Sequence, residues 1–155
     1  MGLNVHQFRT YVLRPTLERI GLHSNSAEML LLGTALTESG DMHYLHQLGN
    51  GPAKGIYQME PTTHEDIYDN YLKYKKELRR EILAFLAPVP EPIEQLMTNL
   101  AYATVMCRVH YLRVKAPLPG ANDLSGLANY WKTHYNTHLG AGQPNTFVRH
   151  LREAI

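Results

Sequence analysis

The chain has 155 residues, 44% of them apolar, enough for one domain (1–155) whose core needs neither disulfides nor a metal to hold it. A single cysteine excludes an internal bridge, and a formal net charge of +1 excludes an overall field that would gather nucleic acid or an anionic membrane. No run of about 18 apolar residues is present to span a bilayer, and the first residues lack the basic region, apolar stretch and cleavage site of a signal peptide, so export by the usual route is not expected.

The helical period dominates from the start. Val5, Phe8, Val12 and Leu13 predict a helix over 5–20, bent or restarted at Arg14-Pro15 because proline has no N–H for the preceding turn. Gly21 ends it. Ser24 or Ser26 caps a second helix, which places Glu28 near its positive end and runs to Glu38. Residues 29–37 carry no charge, so that helix is apolar nearly all round and belongs in the core. Gly40, Gly49, Asn50, Gly51 and Pro52 give 39–53 a loop composition, and 55–59 reads as a short extended or irregular segment before Pro61. Thr62 or Thr63 caps a helix beginning at His64. The charged run 73–81 is expected as its solvated continuation, with Leu72, Leu78, Ile82 and Phe85 as the apolar stripe. Pro88, Pro90 and Pro92 form a stiff connector. Residues 93–114 then read as one long central helix with Leu96, Leu100, Ala103, Cys107, His110 and Tyr111 inward, Cys107 as a structural thiol and His110 as a satisfied core residue. Asp123 caps a helix holding Leu124, Leu127, Tyr130 and Trp131; Gly140-Ala141-Gly142 closes that region, and Asn145 caps a last helix to Ile155. The expected fold class is mainly α.

Glu38 is the first ionisable group after the apolar run, and Gly40 follows it closely. A poorly solvated carboxyl either costs several kcal/mol when ionised or has its pKa raised, and a raised pKa is what a general acid requires. Two later segments bear on its use. Gly55-Ile56-Tyr57-Gln58-Met59-Glu60-Pro61-Thr62 follows the glycine-rich loop, and Tyr130-Trp131-Lys132-Thr133-His134-Tyr135-Asn136 lies near the C-terminus.

With Glu38-Ser39 in front, this order resembles the soluble lytic transglycosylase and goose-type lysozyme group of the lysozyme-like superfamily. That group has a Glu-Ser pair, a Gly-Leu-Met-Gln segment with a following Pro-x-Thr, and an Ala-Tyr-Asn-Ala-Gly segment. Gly55-Ile56-Tyr57-Gln58 with Pro61-Thr62 matches the second closely, whereas Tyr135-Asn136 matches only the core of the third. The likeness covers about residues 30–142. Residues 47–55 and 130–142 are most similar to small members encoded by tailed phages, which often lack a signal peptide. The resemblance implies a lysozyme-like helical domain that cleaves the β-1,4 bond between N-acetylmuramic acid and N-acetylglucosamine, without a cofactor. It makes Glu38 the single acid and base of a lytic transglycosylase, forming a 1,6-anhydro end. By the same match Ser39 would orient Glu38 or the sugar acetamido group, and Tyr57, Gln58, Tyr135 and Asn136 would bind saccharide, the Tyr135 hydroxyl reaching toward Glu38. Its partners would be glycan strands and, in a particle, other virion proteins.

Each assignment has an alternative. Gln58 could serve only loop backbone groups, and Tyr135 could be ordinary core. If 55–59 is extended, Tyr57 and Met59 face away from Gln58. A hydrolase of the same fold would need a second carboxylate to activate water, with Asp41, Glu60 and Asp66 as candidates. His43, Tyr44 and His46 are placed beside the cleft as saccharide contacts. The pairs His43/His46 and His134/His138 have helical spacing but no third ligand, so no metal is assigned. A saccharide-binding or virion structural protein that has lost catalysis is the reading from another class. A helical nucleic-acid module resting on 73–80 and 108–115 is disfavoured by interspersed acids.

Overall fold

The computed structural model describes residues 2–136 and 140–155. Its regular structure is helical, with α1 (Val5–Phe8), α2 (Arg14–Arg19), α3 (Asn25–Glu38), α4 (Pro61–Asn70), α5 (Lys76–Leu83), α6 (Pro92–Thr98), α7 (Leu100–Leu112), α8 (Leu124–Trp131) and α9 (Pro144–Ala154). The described residues form no sheet, only isolated bridges between His46 and Lys54 and between Lys54 and Met59. None of the described helices is long and apolar enough to cross a membrane.

Two helices make the centre. In α3 every residue from Ala27 to Leu36 is buried, and in α7 so are Tyr102 to Val109 and Tyr111. Helices α8 and α9 cover one side of α3, while α2, α4, α5 and α6 surround α7. Close approach of α9 depends on Gly33, where a Cβ would lie 2.2 Å from the Phe147 ring. Cys107 is buried in this core and burial pushes its thiol up, as suits a packing residue.

The N-terminal helix bends as its sequence requires. Pro15 gives no N–H to the turn before it, and residues Arg9–Leu13 widen into a π turn in which the Arg14 N–H reaches Arg9 O. Gly21 ends α2 with φ +67°, and the Ser24 hydroxyl accepts from the Ala27 N–H at 3.0 Å to cap α3. Glu28, expected only as a first-turn charge, is fully buried. It accepts from Arg9 (2.9 Å), Arg14 (3.0 and 2.9 Å) and His23 (2.8 Å). Burial alone would raise its pKa, but these donors outweigh it and hold the carboxyl at about 2.

Several boundaries differ from the sequence expectation. Helix α4 begins at Pro61, before His64, because Pro61 can occupy the first turn, and neither Thr62 nor Thr63 caps it. The charged run does not continue α4: the chain breaks at Tyr71 (φ −133°), makes a 3₁₀ turn over Leu72–Tyr74 and starts again as α5. The long helix over 93–114 is interrupted at Asn99 (φ −131°, ψ 94°). There the Asn99 side chain accepts from the Tyr102 N–H at 3.0 Å to cap α7 and donates to Phe85 O at 2.8 Å. Helix α9 starts at Pro144 rather than being capped by Asn145. Residues 55–59 are a tight turn, not extended: Gly55 has φ +80° and Gln58 φ +48°, and the turn closes through Lys54 and Met59. Only glycine fits at 55, since a Cβ would lie 2.1 Å from Leu96 O.

Candidate active site

A cleft of about 550 Å³ opens where the end of α3, the 55–59 turn and the segment after α8 converge. Its lining includes Glu38, Tyr44, Gln58, Glu60, Trp131 and Asn136. Glu38 is brought there as the last residue of α3, so the buried helix fixes its backbone and leaves its carboxyl at the rim of the core. The Trp131 indole N–H donates to Glu38 Oε1 at 2.9 Å, and the Asn136 amide donates to the same oxygen at 3.4 Å. Burial raises the Glu38 pKa more than these donors and the Lys132 charge lower it, and the carboxyl is pushed up to about 7. Such a group holds its proton through much of the neutral range and can also give it up.

Lys132 orients the donor. Its Nζ gives hydrogen bonds to Asn136 Oδ1 and Gly140 O, both at 2.9 Å, so the Asn136 NH₂ is left facing the carboxylate. The π turn Lys132–Asn136 that carries these residues is pinned to α7, where His110 Nε2 donates to His134 O at 3.2 Å. Below the site the Tyr44 hydroxyl donates to Glu38 O at 2.9 Å, and burial beside Glu38 raises the Tyr44 pKa.

Of the residues expected around the cleft, Glu38, Tyr44, Gln58, Glu60, Tyr135 and Asn136 line it, and His46 does not. Gln58 does so with one half of its amide occupied: Nε2 donates to Gly55 O at 2.9 Å, so the side chain stabilises its own turn while lining the cleft. Tyr135 lines the cleft, but its hydroxyl donates to Tyr57 O at 2.6 Å rather than reaching Glu38. Its ring stacks on Tyr111 at 5.3 Å and meets His110 edge-on at 4.9 Å.

The structure corrects other assignments. Tyr57 is buried, 1% exposed, with its hydroxyl on Thr104 Oγ1 at 2.9 Å, so it is core rather than a saccharide contact. Because the segment is a turn, the expected alternation does not hold: Tyr57 points into the core, whereas Met59, though buried, lines the cleft beside Gln58. Ser39 is fully buried and donates to Ala35 O at 2.7 Å, which leaves it no route to a sugar. His43 is exposed outside the cleft, donating from Nδ1 to Gly40 O at 2.5 Å. Asp41 pairs with His150 and Asp66 with Arg113 (2.7 Å); neither lines the cleft, and Glu60 alone of the three proposed second carboxylates does. His110, assigned to the core, is part of the cleft wall. Burial first and the Arg113 charge second lower it to about 4, so it stands there as a neutral imidazole. His138 lies outside the described residues.

Trp131 is the cleft side chain that the sequence conceals. It reads as one more apolar position of α8, and nothing beside it in the chain marks its N–H as a donor to Glu38. Among the described residues no group of three or more His, Cys, Asp or Glu could hold a metal ion. No family model, curated protein or solved structure matches the chain.

Proposed function

We propose that this protein is a lysozyme-like enzyme that cleaves the N-acetylmuramic acid to N-acetylglucosamine β-1,4 bond of peptidoglycan, as a lytic transglycosylase with Glu38 as its single acid and base. The observation that carries the reading is a carboxyl pushed up to about 7, held by Trp131 and Asn136 on one oxygen, in a cleft walled by amides and hydroxyls. Protonated Glu38 gives its proton to the leaving glycosidic oxygen as the C1–O bond breaks and the muramic ring gains oxocarbenium character. The resulting carboxylate then takes the proton of the C6 hydroxyl, whose oxygen bonds to C1. The product is a 1,6-anhydro sugar, and Glu38 has its proton back. Asn136 and Trp131 stabilise the carboxylate between the two transfers, and Gln58 and Glu60 supply polar wall groups for the glycan.

Glu60 in the cleft wall favours a second reading, hydrolysis, in which it accepts a proton from a water attacking C1 on the opposite sugar face. Mass spectrometry of muropeptides released from purified cell wall separates the two: anhydro ends mark the transglycosylase, reducing ends the hydrolase. In the same assay Glu38→Gln abolishes release. Wild-type activity in that variant would sink both readings, and an intact wall after long incubation with wild type would exclude an enzyme of this class.

A further inference from the structure

At the far end of α4 lies a second hollow, about 460 Å³, that the proposed chemistry does not use. It is lined by Tyr68 and Asp69 of α4, Lys73 of the 3₁₀ turn, and Lys76 and Arg79 of α5. Three cations face one carboxylate, and among the described residues none of these four charges takes part in an ion pair. By contrast, neighbouring Arg80 is neutralised by Glu77 at 2.5 Å. A concave surface that gathers like charges without partnering them is arranged for a ligand rich in anionic groups.

The geometry points to this hollow as a subsite for the peptide stem carried by the glycan, recognising its carboxylates; the assignment rests on the peptidoglycan reading of the cleft. Helix α4 joins the two places. Glu60 and Thr63 at its start line the cleft, and Tyr68 and Asp69 near its end line the hollow. Nine residues of helix separate Glu60 from Asp69, an axial distance of about 13 Å at roughly 1.5 Å per residue. An extended peptide of four or five residues attached to the bound muramic acid reaches about 14–17 Å, at roughly 3.4 Å per residue. The charge pattern fits as well. A stem peptide carries several carboxylates and, where it contains a diamino acid, one free amine. Lys73, Lys76 and Arg79 suit the former and Asp69 the latter. A phosphodiester wall polymer would have anions for the three cations but only repulsion for Asp69.

The test uses Glu38→Gln, which stays on its substrate, and compares it with the same protein carrying Lys73→Glu, Lys76→Glu and Arg79→Glu, all at exposed positions. Binding is measured by co-sedimentation with purified sacculi, before and after an amidase has stripped the peptides, and after hydrofluoric acid has removed phosphodiester polymers. Charge reversal is expected to weaken binding to peptide-bearing sacculi about tenfold or more, with or without the phosphodiester polymers, and to leave binding to stripped strands within about twofold. Equal binding by both proteins on peptide-bearing sacculi overturns the subsite. So does an equal loss on stripped strands, or a loss that vanishes after hydrofluoric acid, which would assign the hollow to the phosphate polymer. The catalytic reading fails separately: wild type that releases no muropeptide while keeping peptide-dependent binding loses its reaction but keeps this subsite.

Discussion

Two opposed demands meet at Glu38, because the burial that raises its pKa also makes its ionised form a burden on the fold. The native carboxyl binds its proton at about 7 against 4.5 in the unfolded chain, so native molecules hold more protons between those values and stability falls as pH rises through that window. The full cost, about 3 kcal/mol, is present above pH 7. Glu38→Gln removes the charge and keeps an oxygen for Trp131. Chemical denaturation at pH 8 is therefore expected to show the variant up to about 3 kcal/mol more stable, with no difference below pH 4. Trp131→Phe deletes the 2.9 Å donor that favours the carboxylate. Its expected signature is an alkaline limb of kcat/KM displaced upward from the wild-type limb near 7, read from a pH–rate profile of muropeptide release. Glu38 was legible because a lone carboxyl after nine uncharged residues is conspicuous. Gln58 and Asn136 were placed by their sequence context, but Ser39 and Tyr57, equally prominent by position, turned out to be filled by packing. Which way a side chain points off a turn or a helix end is set by tertiary contacts that local sequence does not contain.

At the level of elements, the strong punctuation was readable and the weak punctuation was not. Gly21, Ser24 and Asp123 mark ends and starts whose hydrogen bonds are local, the last with its carboxylate on the Gly126 N–H at 2.9 Å. Asn99 sits inside an unbroken apolar period, and nothing nearby announces that Phe85 O, fourteen residues upstream, will draw its amide and split the helix. The α3–α9 contact was equally hidden, since Gly33 inside an apolar run looks like a weak helix former rather than a seat for a ring. Gly33→Ala puts a methyl into Phe147 and is expected to lower stability by about 2 kcal/mol in urea unfolding, the range for overpacking a tight interface. At the other end of α3, Glu28→Gln breaks the buried cluster that docks the Arg9–Leu13 turn and the start of α2. A loss of about 2 kcal/mol at pH 7 is expected, below the roughly 3 its pKa displacement implies because Arg14 is partly exposed. This difference vanishes as pH falls through about 2, where native Glu28 becomes neutral too.

Across the whole molecule these displaced groups set one pH profile. His64, lowered to about 4 by burial, and His110, also lowered to about 4, are neutral in the native state where the unfolded chain would charge them. Both therefore withdraw stability as pH falls from 6.5 through 4, and together they outweigh the gain from protonating Glu38 over the same span. Thermal unfolding across pH is expected to show a maximum between about 6 and 7, a steep acid flank and a shallow alkaline one, the alkaline decline being absent in Glu38→Gln. A monotonic rise from pH 6 to pH 8 in wild type would contradict the displacement of Glu38.

The order in which the site's parts occur along the chain has a further consequence during synthesis. Glu38 leaves the ribosome about a hundred residues ahead of Trp131, Asn136 and the α9 helix whose Phe147 packs on both Gly33 and Trp131. Until then the carboxyl has neither its indole donor nor the neighbours that desolvate it, and it is an ordinary solvated glutamate. The nascent chain thus carries Glu38 with the proton affinity of a free carboxyl, and the raised affinity appears only once α8 and α9 have packed against α3.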